Sequence, residues 1–147
     1  MSLKQIWFRV IGKKTKDEKT RERISFLKEL LWIEAQRIAK KPSEYVKNVA
    51  KDFYVESLII SRKDGSVLMS SEKDAFAKSV KGSSVYEYIS SEFPGAKFMT
   101  IKDEEGYNVI YPVGDMVCLL RSSGEISDLE VKRIVSRLDE GVHKFGL

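Results

Sequence analysis

Residues 116–120 read Met-Val-Cys-Leu-Leu, an apolar run without a polar break. A strand with one wet face alternates apolar and polar residues. An uninterrupted run therefore predicts a central strand covered on both faces. The chain must build a sheet with helical cover, and its other periodicities say where the remaining elements lie.

Four more segments read as strands. Glu56 to Arg62 has Leu58, Ile59 and Ile60 at its centre, and Ser66 to Ser70 follows it after Lys63-Asp64-Gly65. Asp-Gly between apolar runs predicts a hairpin with a tight type I′ turn, in which both central residues need positive φ. Ala96 to Lys102 and Tyr107 to Pro112 are joined by the acidic turn Asp103-Glu104-Glu105-Gly106. Gly114-Asp115 then turns the chain into Met116 to Arg121. Pro112 cannot donate a ladder bond and belongs at a strand end.

Helices fill the gaps. Over 20–41, Ile24, Leu27, Leu30, Leu31, Ala35 and Ile38 recur at three- and four-residue steps, and Phe26, Trp32 and Ile33 widen the apolar surface. Pro42 ends this helix and suits the first turn of the next, 43–53, with Tyr45, Val46, Val49, Ala50 and Phe53 inward. Ser71 with Asp74 predicts a capping box opening a helix over 72–92, and Gly82-Ser83-Ser84 inside it predicts a bend or break. Ser127 with Glu130 is a second capping box. The last helix then carries Val131, Ile134, Val135, Leu138, Val142 and Phe145 on one stripe and ends at Gly146. The order is helix, strand, strand, helix, three strands, helix. It predicts an α+β domain over 43–147 with one five-stranded antiparallel sheet, behind an N-terminal helical extension over 1–42.

The 147 residues are 42% hydrophobic and 33% charged, enough apolar material for a core. Residues 1–23 hold eight bases and three acids, a local +5 within a net charge of +4, so the folded part is close to neutral. That argues against a specific nucleic-acid face. Within segment 3–14, Leu3, Ile6, Trp7 and Val10 fall on one helical stripe, with Lys13 and Lys14 beside it. Such a segment suits weak contact with an anionic membrane surface, or docking on protein. A lone Cys118, with no apolar run long enough to span a bilayer, fits a cytoplasmic chain.

Catalytic chemistry is sparse. His143 is the only histidine and sits in a last helical turn, where it serves the helix dipole or solvent. Cys118 lies mid-strand among apolar neighbours, as an inert core residue does. Asp103, Glu104 and Glu105 fit a solvated turn better than a calcium loop, which needs more oxygen ligands at set spacing. No nucleophile-base pair, metal cluster or phosphate-cradling loop can be assembled, so no catalytic residue, metal or cofactor is expected.

Two stretches carry a family resemblance. Tyr54-Val55-Glu56-Ser57-Leu58-Ile59-Ile60-Ser61-Arg62-Lys63-Asp64-Gly65-Ser66-Val67-Leu68 resembles the strand that ends in Asp-Gly in the Roadblock / dynein light chain family. Ser57 and Leu58 stand where that family has a pair of small residues. Tyr111-Pro112-Val113-Gly114-Asp115-Met116-Val117-Cys118-Leu119-Leu120 resembles its Pro-x-Gly-Asp hairpin before an apolar strand. The resemblance covers residues 43–145 and implies a profilin-like fold and a non-catalytic dimeric scaffold or regulator. Its partners would be a second copy or a paralogue, and a small Ras-like GTPase or motor complex. It places the dimer interface on the helix at 72–92 and the strand at 96–102, for which Phe76, Ser79, Val80, Ser83, Phe98 and Thr100 are the candidates. Two other readings stand beside it. One is a PAS-like sensor enclosing a small molecule between the sheet and the helix at 72–92. The other is a peripheral membrane adaptor acting through residues 1–14.

Overall fold

The computed structural model describes residues 16–147, and the segment at 3–14 lies outside them. Four helices and five strands follow one another as α1 (Lys16–Ile38), α2 (Pro42–Asp52), β1 (Ser57–Arg62), β2 (Val67–Ser70), α3 (Phe76–Glu92), β3 (Met99–Asp103), β4 (Gly106–Val113), β5 (Met116–Ser122) and α4 (Asp128–Phe145). The chain divides into two compact units, one ending at Ile38 and one spanning Ala39–Leu147. In α1, Trp32 is buried, while Ile24, Leu27, Leu31 and Ile33 of the expected apolar surface are exposed. No helix among the described residues is long and apolar enough to cross a membrane.

In the second unit every strand pairing is antiparallel, in the order β2-β1-β5-β4-β3. The apolar run of β5 lies at the centre, with Val117, Cys118 and Leu120 buried. The pairings Ile59↔Leu119 and Leu119↔Ile110 put these three side chains on the face that α3 covers. Leu58, Ile60, Leu120 and Val109 point the other way, toward α2 and α4, and form the larger core. Tyr45, Val46 and Val49 of α2 and Ile134 and Leu138 of α4 complete it, each nearly inaccessible to solvent.

The start signals fared unevenly. Ser127 caps α4 with the full reciprocal box: its Oγ accepts from Glu130 N, and Glu130 Oε2 accepts from Ser127 N. Gly146 ends α4 in the left-handed conformation at φ 66°. At α3 the expected box does not form, and the helix begins at Phe76 behind an uncapped Ala75. Ser71 is already committed to the sheet, because its Oγ accepts from Leu58 N at 2.9 Å. Nor does α3 break at Gly82; it runs unbroken to Glu92. The β1–β2 hairpin also departs from a type I′ turn. Gly65 alone has positive φ, at 90°, and Gly65 N donates to Arg62 O. That is the three-residue loop closed by Arg62 N donating to Ser66 O, and a separate register shift follows at Leu68, opposite Ile60 and Ser61. Asp64 stabilises it by accepting from Ser66 N and Oγ.

Helices α2 and α4 meet at Tyr45 and Gly141. The Tyr45 hydroxyl donates to Arg137 O at 2.6 Å, and its ring meets Phe145 edge-on with centroids 6.0 Å apart. A Cβ on Gly141 would lie 2.4 Å from Tyr45 Cε1, so only glycine admits the ring there. Gly141→Ala is expected to cost about 1–3 kcal/mol through overpacking, read as a lower urea midpoint with an unchanged slope. Gly124→Ala, whose Cβ would meet nothing within 4 Å, is the near-neutral control.

Four carboxylates are tied to the fold. A Ser66 hydroxyl bond holds Asp64 below the ordinary range, as a backbone bond from Glu105 does for Asp103 and one from Ser127 does for Glu130. Burial works against charging Glu72, yet bonds from Lys78 and Ser57 outweigh it and keep its carboxyl low. Lowered folded values mean that the unfolded chain takes up protons first as pH falls. Stability is full above the unfolded values and drains away as pH drops through about 4. Thermal midpoints should therefore be level from pH 7 to about 5 and fall steadily below it; a flat profile to about pH 3 would contradict this assignment.

Candidate interaction surface

Helix α3 is apolar on the wrong side. Its sheet-facing positions are small: Ala75 is 4% exposed, Ser79 is inaccessible and Ser83 is 5% exposed. Gly82 is buried with them, and a Cβ there would sit 2.5 Å from Leu119 Cδ2. Such residues let the helix axis approach the sheet closely. Ser79 Oγ then reaches Gly65 O at 2.7 Å, fastening α3 to the β1–β2 loop. Val85, Tyr86 and Ile89 are half-buried, but other large side chains face solvent. Phe76 is 69% exposed, Tyr88 64%, and Val80 lies between them at four-residue steps, with Phe93 exposed just past the helix end. Ordinary surface helices show the opposite arrangement.

Sheet edge β3 is a second exposed feature of this unit. Its burial falls from half-buried Met99 to exposed residues from Thr100 to Asp103, and it pairs only with β4. The opposite edge, β2, is a shorter strand of four residues with Met69 and Ser70 buried, a common way to blunt an edge. β3 has only its charges for protection.

The structure separates the six candidate residues into three places. Phe76 and Val80 are on the exposed side of α3. Ser79 and Ser83 face their own sheet, Ser83 Oγ lying 3.5 Å from Arg62 O. Thr100 pairs with Val109 and so lies on the sheet face away from α3, as does Phe98, whose ring stacks on Tyr111 at 5.9 Å. Tyr88, Phe93 and Ile101, also exposed, are not among these six candidates although their size is visible in the sequence. Which side of α3 meets the sheet is the signal that was lacking.

Ion pairs fix the end of β3. Arg121 bonds Glu105 of the β3–β4 turn and lies 3.4 Å from Glu56 ahead of β1. Asp103 accepts from Glu105 N and from Asn108 Nδ2, so the acidic turn is bound into its own hairpin. Cys118 is buried, and burial pushes its thiol up to about 12. His143 is exposed, with Nδ1 2.9 Å from Asp139 O in its own helix. Among the described residues no group of three His, Cys, Asp or Glu side chains is placed to hold a metal ion.

No protein-family model and no curated protein matches the chain. Solved structures do. MglB from Myxococcus xanthus overlays with a TM-score of 0.56 at 12% identity, covering 74% of this chain and 96% of its own. The gliding protein MglB from Thermus thermophilus gives 0.57 at 12% identity, covering 73% and 95%. A Roadblock/LC7 domain from Streptomyces avermitilis gives 0.48 at 13% identity, covering 62% and 84%. At such identity the likeness is one of architecture: this chain has the Roadblock/LC7 fold, as its two hairpin motifs led one to expect.

Proposed function

We propose that the chain is a non-catalytic, cytoplasmic scaffold or regulator of the Roadblock type, working as a pair of copies that engages a small Ras-like GTPase. The observation that carries the pairing is the inverted α3. Phe76, Val80 and Tyr88 stand exposed on the helix, and the β3 edge of the same unit is unprotected. Apolar side chains held out of a core in one contiguous region mark a surface meant to be covered. A second copy covers it symmetrically: edge-to-edge pairing of β3 satisfies outward backbone groups, and the α3 helices bury their aromatic side chains. The GTPase is what the family resemblance implies, and a surface that acts by shape needs no nucleophile.

Sizing with light scattering on the full chain at tens of micromolar tests the reading. The expected mass is twice that of the monomer, falling to one copy for Phe76→Glu/Tyr88→Glu, whose exposed sites leave the fold unchanged. Mixed with a Ras-like GTPase, the wild type should co-elute with it in one nucleotide state and not the other. A monomeric wild type, or a double variant that still pairs, would overturn the proposal.

A further inference from the structure

Helix α1, in the unit that ends at Ile38, carries an apolar stripe of its own. Ile24, Leu27 and Leu31 are all exposed, Leu31 by 67%, at steps of three and four that set them in one row. Another side of the helix is covered, for Trp32 is buried and Phe26 and Glu22 are half-buried. The row at Ile24 is the side left open.

Charge decides what covers it. Arg21 and Lys28 lie one turn before and one turn after Ile24, along one flank of the row. Arg23, one turn before Leu27, lies along the other. All three bases are exposed, and none is in an ion pair among the described residues. The helix also has five acids. Glu18, Glu22 and Glu29 fall in a row on the opposite side, and Asp17 and Glu34 sit at the two ends of the stripe. Over residues 1–38 ten bases stand against five acids, while the rest of the chain is close to neutral.

This pattern argues against three occupants. A second copy of α1 would set Arg21, Arg23 and Lys28 against bases like themselves. The segment at 3–14, with Lys4, Arg9, Lys13, Lys14 and no acid, brings the same sign of charge. A coiled coil with an acidic helix needs an apolar seam sustained over about three or four heptads. Here Thr20 and Glu34 interrupt the seam after Ile24, Leu27 and Leu31. An anionic bilayer asks for less. Its headgroups pair with the flanking bases, whose stems lie along the surface, and its acyl boundary takes a short stripe.

We infer that α1 lies along an anionic lipid surface, with Ile24, Leu27 and Leu31 at the acyl boundary and Arg21, Arg23 and Lys28 on the headgroups. Every residue involved is on α1, outside the helix and edge strand proposed for pairing.

The test is flotation of the full chain with phosphatidylcholine vesicles containing about 30% phosphatidylserine, at about 0.15 M salt. The chain should float with them, and should bind vesicles of phosphatidylcholine alone at least about tenfold more weakly. Arg21→Gln/Lys28→Gln removes flanking charge, and Leu27→Gln/Leu31→Gln shortens the stripe at constant charge. Each should lower affinity for the mixed vesicles by about tenfold or more. All four positions are exposed, and an unchanged thermal midpoint checks the fold of each variant. Binding lost in Trp7→Glu but kept in both α1 variants would move the contact to 3–14 and overturn the inference. Binding lost only in Phe76→Glu/Tyr88→Glu, equal binding to neutral vesicles, or no binding at all would overturn it too.

Discussion

A helix about 10 Å across cannot roof five strands spaced about 4.8 Å apart. On one face of this sheet two helices share the task, α2 over β1 and β2 and α4 toward β4. On the other face α3 works alone. Gly82 decides where it sits, because the absent side chain lets the helix settle against Leu119 at the sheet centre. Once α3 is centred there, β4 and β3 keep an uncovered flank that ends in the open edge.

The composition of α3 turns that geometry into a surface with a purpose. Close approach needs small residues underneath, and Ala75, Ser79, Gly82 and Ser83 provide it. The Ser79 and Ser83 hydroxyls find the carbonyls of Gly65 and Arg62, so burying them leaves no polar group stranded. Of the larger side chains Val85, Tyr86 and Ile89 are half-buried, whereas Phe76 and Tyr88 are left outside. Each aromatic ring left wet forfeits burial worth about 25 cal/mol per Å². α3 keeps Phe76 and Tyr88 outside, and β3 is an edge strand without a bulge or proline; the proposed pairing uses both. β2 at the other edge is shorter and half-buried, so the two edges differ in how far they are protected.

Much of this was legible in the residues. The strand centres, the places of the three turns, the Ser127 box and the Gly146 stop follow from local chemistry, although the β1–β2 turn is not of the expected type. What could not be read depended on distant partners. Ser71 looked like a helix cap until Leu58 N, thirteen positions away, claimed its hydroxyl. Gly82 looked like a break, yet its role is contact with a strand nearly forty residues later. The interaction surface was half visible for the same reason. The small and large residues of α3 both stood out, but periodicity cannot say which group faces the sheet, and Ser79 and Ser83 proved to be the inner ones.

The central claim is that the β3 edge is left open in one copy and closed by another. Amide hydrogen exchange across Met99–Asp103, measured at several protein concentrations, addresses it most directly. The account predicts that some β3 amides gain protection as concentration rises, while those of Val67–Ser70 at the other edge keep theirs unchanged. Protection in β3 that is independent of concentration, or that changes equally at both edges, would contradict it.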